Sequence, residues 1–389
     1  MSNLSAVTLF SGGGLSALGA RSAGYDLVGA VEYDESIASI YAQNLGDHVT
    51  VGKVEDVNPS PYIGIDALLA SPVCTRASVA NADRGESEVD LAAAEGVCRW
   101  LRVCRPRCFV MENVTQYRAF ESYRRIMSTL YEFGYLCTDD TCNSADWGVP
   151  QTRRRMIVRA LLGQMPPPLK PTHYNPLVAS EDGGLFKEDT RGMTPWVGWY
   201  AAIEDILHTL PEGKFQEWQL KRLPADLFVS TLVHSTEMRT MPYRAGKDPA
   251  FTCTVSGNHP PKALLIEGDA AGDRPPTCRT SEKPAFTLKT ASGGRVHRAF
   301  LVNETSTMEV REAAGTAASQ VAAPRNMNQK AWLEQGRVVA MTSRALARFM
   351  SCPDSYRLPE SKKLASTVLG NGVPCLLSEA IMRQLKEAL

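Results

Sequence analysis

Continuous apolar runs and helical stripes alternate along the first 160 residues. Ala6-Val7-Thr8-Leu9-Phe10 has the continuity of a buried strand, and Gly12, Gly13 and Gly14 turn the chain after it. Leu15 to Ala23 then reads as a helix stopped by Gly24. A second strand, Leu27 to Val31, ends at Glu32, and further strands are predicted at Ala67 to Ala70 and Cys108 to Met111. Between them Leu91, Ala94, Val97, Cys98 and Leu101 share one helical face, which Pro106 must terminate. Phe120, Tyr123, Met127 and Leu130 share another, stopped at Gly134. Short buried strands separated by amphipathic helices predict an α/β fold, with a doubly wound, mostly parallel sheet covered on both faces.

The pattern changes near Leu162. Pro166-Pro167-Pro168 opens a stretch rich in Pro, Gly and Thr, with only short strand-like pieces. Inside it Pro249-Ala250-Phe251-Thr252 recurs as Pro284-Ala285-Phe286-Thr287, which fits either two related strand-turn units or coincidence. Helical spacing returns with Leu346, Phe349 and Met350, followed by a final helix from about Leu376 to Leu389. The predicted organisation is therefore 1–174, 175–335 as a smaller irregular β-rich domain, and 336–389 returning to the first domain.

At 389 residues the chain exceeds one ordinary core, which favours a large domain with a smaller companion. Its 44% apolar and 22% charged content excludes wholesale disorder. The 42 basic and 42 acidic side chains argue against a sequence-indifferent nucleic-acid coat and leave room for a local basic cleft. No run of 18 apolar residues occurs, and Met1-Ser2-Asn3-Leu4-Ser5 lacks the pattern of a secretory leader, so the expectation is a cytoplasmic chain with no membrane partner. The ten cysteines form no Cys-x-x-Cys and stand near no histidine pair, which predicts reduced, buried thiols and no metal site.

Four features carry candidate chemistry. Gly12-x-Gly14-x-x-Ala17 between a strand and a helix, with Glu32 at the next strand end, suits an adenosine-bearing cofactor, a nicotinamide dinucleotide as well as any other. Cys74 follows a strand end, where a neighbouring positive charge would make its thiolate a nucleophile; a packed core thiol is the plainer reading. Glu112 sits at the same edge of the sheet, as a site carboxylate, a helix cap or a loop acid. Gln151-Thr152-Arg153-Arg154-Arg155 is a cationic cluster suited to phosphate or simply to solvent. Arg99, Arg102, Arg105 and Arg107 read as a solvated face rather than as phosphate contacts.

Their order is more specific than any one of them. Phe10-Ser11-Gly12-Gly13-Gly14, Glu32, Asp56, Pro72-Val73-Cys74, Glu112-Asn113-Val114, Gln151-x-Arg153-x-Arg155 and Gly370-Asn371-Gly372-Val373-Pro374 together resemble the DNA cytosine-5 methyltransferase family, over about 1–160 and 335–380. Val73 and Thr75 stand where that family usually has Pro and Gln. The resemblance implies a sheet domain of the S-adenosylmethionine-dependent methyltransferase type. It also implies methyl transfer from S-adenosylmethionine to C5 of a flipped-out cytosine in double-stranded DNA, through a Cys74 adduct at C6. Glu112 would bond the N3 and N4 edge of the base, Arg155 its carbonyl side, and Arg153 would support the site and a nearby phosphate. Phe10, Gly12, Gly14, Glu32, Tyr33, Asp56, Val57, Asn371 and Val373 would line the cofactor site, and sequence readout would fall to the intervening domain. A monomer suffices for such a site. Rival readings are a nicotinamide-dependent oxidoreductase, a methyltransferase-like DNA-binding protein without activity, and an enzyme acting on RNA.

Overall fold

The computed structural model describes residues 4–73, 86–175, 192–199, 201–212 and 341–389, with the backbone of strands between 262 and 340. Seven strands make the central sheet: β1 (Leu4–Leu9), β2 (Tyr25–Glu32), β3 (Val49–Val51), β4 (Ala67–Ala70), β5 (Cys108–Asn113), β6 (Tyr135–Asn143) and β7 (Arg154–Leu162). Their spatial order is β3-β2-β1-β4-β5-β7-β6. The first five are parallel, while β7 runs antiparallel to β5 and β6 antiparallel to β7. From β1 the chain adds β2 and β3 on one side and then β4 and β5 on the other, and the carboxyl ends of strands at such a switch point are where open sheets bind ligands.

Both faces of the sheet are covered, which explains why β4 and β5 carry no exposed position. On one face α3 (Glu88–Cys104) and α4 (Glu121–Glu132) bury Val97, Trp100, Leu101, Ile126 and Leu130 against Val7, Leu9, Phe109 and Met111. On the other, α1 (Leu15–Ser22) lies beside α7 (Cys375–Lys386), whose Leu377, Ile381, Met382 and Leu385 pack on Ala6, Leu69, Cys108 and Val110. The approach of α7 to α1 is close: a Cβ on Gly19 would come within 2.5 Å of the Cys375 carbonyl oxygen, and Ser378 Oγ donates to the Ser16 carbonyl at 2.8 Å. The last helix thus supplies one wall of the first domain's core.

A further core joins α1 and α2 (Glu35–Leu45) to α5 (Ser343–Phe349), α6 (Lys362–Asn371) and Trp199, Ile203 and Leu207. Arg348 holds this junction together by pairing with both Asp205 and Asp354. Lys362–Lys386 has the length and mean hydropathy of a membrane span. It is nevertheless two helices, α6 and α7, broken at Gly372-Val373-Pro374, with their apolar residues in these cores.

Strands Lys262–Asp269, Cys278–Arg279 and Arg295–Val302 form an antiparallel sheet, and Lys330–Leu333 pairs antiparallel with Arg337–Ala340. Of the repeated tetrapeptides, Pro284–Ala285 forms a two-residue strand with Thr316–Ala317, while Pro249 to Thr252 lies outside the described residues. Cys98, Cys104, Cys108, Cys142, Cys352 and Cys375 are free and buried, and burial pushes the thiols of Cys104, Cys108 and Cys142 up to about 12. Among the described residues, no group of three or more His, Cys, Asp or Glu could hold a metal ion.

Candidate functional site

The turn after β1 is built around strain and a buried carboxylate. Phe10 sits at φ 55, a left-handed conformation that a bulky residue adopts at a cost of about 1–3 kcal/mol. Ser11 holds it there: its N–H donates to the Val31 carbonyl at 3.0 Å, and its hydroxyl bridges Thr8 and Val31. Gly12 follows at φ 54, and a Cβ there would meet nothing within 4 Å, so the turn faces open space. Gly13 is a glycine for the opposite reason, since a Cβ would lie 2.4 Å from Val368 and 2.6 Å from the Tyr356 hydroxyl. That hydroxyl donates to the Gly13 carbonyl at 2.6 Å. Gly14 is the N-cap of α1.

Glu32, at the end of β2 and 5% exposed, accepts from the Gly12 N–H at 2.8 Å and from the Asp34 N–H at 3.0 Å. Burial raises its carboxyl above the usual carboxylate range, and the bonds from Asp34 and Gly12 oppose that rise. Asp34 in turn caps α2 through the N–H groups of Ser36 and Ile37.

On the far side of the switch point Glu112, the last residue but one of β5, is buried. Antiparallel pairing places Asn113 opposite Met156, so the start of β7 brings Arg155 to the same edge. Arg155 Nε lies 3.0 Å from Glu112 Oε1, with both side chains nearly buried. Glu112 Oε1 is buried and, beside this ion pair, accepts no hydrogen bond from the described residues. Asn113 turns back: its Nδ2 donates to the Pro72 carbonyl at 3.0 Å, tying the end of β5 to the chain two residues before Cys74. Cys74 itself lies outside the described residues.

Arg153 is 2% exposed and points inward, with its guanidinium donating to the Gly370 carbonyl at 3.1 Å. Its backbone N–H donates to Asn143 Oδ1 at 3.1 Å. It therefore meets the Gly370-Asn371-Gly372-Val373-Pro374 turn rather than solvent. Gly370 and Asn371 end α6, and Val373 is buried. Leu9, Ala70, Ser71, Glu112, Ile157 and Val373, with Ser16 of α1 and Ser378, Ile381 and Met382 of α7, line a small hollow between the carboxyl-terminal parts of β1, β4 and β5 and the helices that cover them. That hollow brings the end of the glycine-turn strand, the start of the Cys74 segment, the β5 carboxylate and the C-terminal turn together.

Other predicted positions lie further out. Tyr33 is 65% exposed beside Glu32, Asp56 and Asn371 are exposed, and Val57 is half-buried against the core under α3. Arg99, Arg102, Arg105 and Arg107 are occupied at home, on the Glu55 carbonyl, Glu95, the Phe133 carbonyl and Asp66 respectively. Ser11, Tyr356 and the amide of Asn113 hold the site in place, and the sequence pattern assigned them no role. Asn113 left one signal, a polar amide directly after Glu112 on an otherwise apolar strand.

Comparison with known proteins gives the family and the fold. The sequence model of the C-5 cytosine-specific DNA methylases matches residues 4–387. The Type II methyltransferase M.NaeI of Lentzea aerocolonigenes is 31% identical over 225 residues, 55% of this chain and 53% of that protein. M.AgeI of Thalassovita gelatinovora is 24% identical over an alignment of 431 residues, spanning 98% of this chain and 99% of its own. With M.NaeI, M.NgoBI and M.HaeII the aligned stretch spans about half of each relative's length. Among solved structures, S. pombe Dnmt2 methyltransferase superposes with a TM-score of 0.55 at 14% identity, covering 100% of this chain and 99% of that one. Entamoeba histolytica methyltransferase EhMeth gives 0.52 at 15% identity, again over 100% and 99%. These two show the shared fold.

Proposed function

Because the chain belongs to the C-5 cytosine-specific DNA methylase family, we propose that it methylates C5 of cytosine in double-stranded DNA, with S-adenosylmethionine as donor and residues 175–335 reading the target sequence. The observation that carries this reading is the shared hollow: Glu112, Val373 and the end of β1 line one space, with Arg155 against the carboxylate.

The residues present fit the cofactor. Gly12 opens onto free space where a Cβ would otherwise project, and the buried Glu32 stands one bond from that turn. Phe10, Gly12, Gly14 and Glu32 would hold the adenosine and methionine parts, with Tyr33, Asp56 and Val57 on the adenine side. Asn371 and Val373 would close the pocket, steadied by Arg153. When bound, S-adenosylmethionine supplies the electrophilic methyl group that C5 accepts.

The protein's own groups make C5 able to accept it. Cytosine C5 is a poor nucleophile, so the Cys74 thiolate forms a bond to C6 and pushes the C5–C6 electron pair into the ring. Glu112, hydrogen-bonded to the N3 and N4 edge, supplies a proton as charge builds there, and Arg155 steadies both the carboxylate and the base carbonyl. After methylation a base takes the C5 proton, the C5–C6 double bond re-forms, the Cys74 thiolate leaves and the proton at the N3 edge returns to Glu112. The base must leave the duplex stack to reach these groups, at a cost of roughly a few kcal/mol. Expression in a methylation-free host followed by bisulfite sequencing tests the reading: modification at a restricted sequence, lost in Cys74→Ser, supports it, and unmodified DNA from the wild-type chain rejects it.

A further inference from the structure

Behind the glycine turn runs a line of polar groups. Thr8, the last residue but one of β1, is buried, and its Oγ1 lies 2.8 Å from the Oγ of Ser11, the residue that holds the left-handed Phe10. The Thr8 hydroxyl also bonds to that of Tyr41, which is fully buried in α2. Tyr41 Oη lies 3.0 Å from His48 Nε2, with the two rings nearly perpendicular. His48 is half-buried, and its carbonyl accepts from the Ala30 N–H on β2 at 3.1 Å, which fixes its place beside the sheet. Three hydroxyls and an imidazole therefore connect the loop before β3 to the strained turn.

Ser11 shows why the line matters. Its hydroxyl carries one proton and has within reach the Thr8 carbonyl at 2.8 Å, the Val31 carbonyl at 3.1 Å and the Thr8 hydroxyl at 2.8 Å. Which of them receives the proton depends on whether the Thr8 hydroxyl donates or accepts, and that is set by Tyr41. Burial pushes the Tyr41 phenol up to about 12, so it keeps its proton at neutral pH. The ring has a second contact with the same turn: a Cβ on Gly14 would lie 2.9 Å from Tyr41 Cδ2, and the ring packs with Ala17 and Ala30. A phenylalanine would fill that space equally well. What the hydroxyl adds is a path to Ser11.

Resting on the function proposed above, we infer that Tyr41 is a positioning residue for S-adenosylmethionine binding: its hydroxyl, held by His48, sets the Thr8–Ser11 pair that keeps Phe10 and Gly12 in the shape the cofactor meets. The line lies on β1, α2 and the loop to β3, on the opposite side of the switch point from Glu112 and Arg155. It governs cofactor affinity and leaves transfer from bound cofactor unchanged.

The test separates positioning from plain packing. Affinity for S-adenosylhomocysteine by calorimetry, the single-turnover rate with duplex DNA at saturating S-adenosylmethionine, and melting temperature are measured for wild type, Tyr41→Phe, Ser11→Ala, Tyr41→Phe/Ser11→Ala, His48→Gln and His48→Leu. Tyr41→Phe should weaken S-adenosylhomocysteine binding roughly threefold to tenfold, the loss of about one hydrogen bond, with the saturated rate within about twofold of wild type. Because the path runs through Ser11, Tyr41→Phe should cost little further affinity once Ser11→Ala is present. His48→Gln, whose amide can donate or accept, should keep more affinity than His48→Leu. A Tyr41→Phe variant with wild-type affinity and only a lower melting temperature, or losses that add in full with Ser11→Ala, would overturn the inference and leave the proposed function standing. A wild-type chain that binds no S-adenosylhomocysteine would overturn both.

Discussion

The two sides of the site are held in different ways. On the proposed cofactor side the carboxylate is part of the fold: Glu32 accepts the Gly12 and Asp34 N–H groups, and the strained Phe10 is locked by Ser11. On the proposed base side Glu112 and Arg155 meet as a nearly buried ion pair, and Glu112 Oε1 accepts no hydrogen bond from the described residues. One side is tied by hydrogen bonds within the fold, and the other rests on a charge pair. Substitutions on the first should therefore disturb structure and cofactor together, whereas substitutions on the second should disturb the rate alone.

The largest effect expected is that of Cys74→Ser, which should lower methyl transfer by at least about a thousandfold, since a hydroxyl is a far poorer nucleophile than a thiolate. Calorimetry should still show S-adenosylhomocysteine binding; loss of both would mean that the sulfur belongs to the cofactor side. Next, Glu112→Gln should reduce the single-turnover rate by roughly 10²–10³-fold, the range of a positioned proton donor, with cofactor affinity nearly unchanged. Equal losses in rate and affinity would erase the contrast between the two sides.

Arg153→Ala should show the reverse pattern. Removing a charged hydrogen bond to the Gly370 carbonyl forfeits about 1.5–3 kcal/mol, and should appear as weaker S-adenosylhomocysteine binding and a lower melting temperature, with Arg153→Lys recovering part of each. Weaker DNA binding with unchanged cofactor affinity would instead place Arg153 on the base side. The smallest effect concerns pH. Because burial raises the Glu32 carboxyl in the folded state, its contribution to stability is fully present below the unfolded carboxylate value and is lost as pH rises through the raised one. The melting temperature of Glu32→Gln relative to wild type should therefore climb as pH rises through the carboxylate range. A difference that stays flat across that range would show that the carboxyl is not raised.

Much of the sheet domain could be read from periodicity, because its elements are either wholly buried strands or helices with one apolar stripe. Ala67 to Ala70 is observed as predicted, and the first two strands differ from expectation by one or two residues at their ends. The helical face through Leu91, Val97 and Leu101 ends at Cys104, just before Pro106, and α4 stops ahead of Gly134. The bonds that hold the site were less legible. Arg153 to Gly370, Asn113 to Pro72 and Tyr356 to Gly13 join side chains to backbone groups far along the chain, and no local spacing encodes them. Arg153 shows the difference: its cluster suits phosphate or solvent by composition and support of the site by resemblance, and only the structure shows its guanidinium buried against the C-terminal turn.

The most direct measurement is mass spectrometry of the chain after incubation with duplex DNA carrying 5-fluorocytosine at the target position, with and without S-adenosylmethionine. Fluorine at C5 blocks the proton loss that would release the enzyme, so convergence of Cys74, Glu112 and Arg155 on one base predicts a cofactor-dependent covalent nucleotide on Cys74, formed far more slowly in Glu112→Gln. Cofactor-dependent methylation of ordinary cytosine DNA with no adduct on Cys74, or an adduct on a different residue, would contradict it.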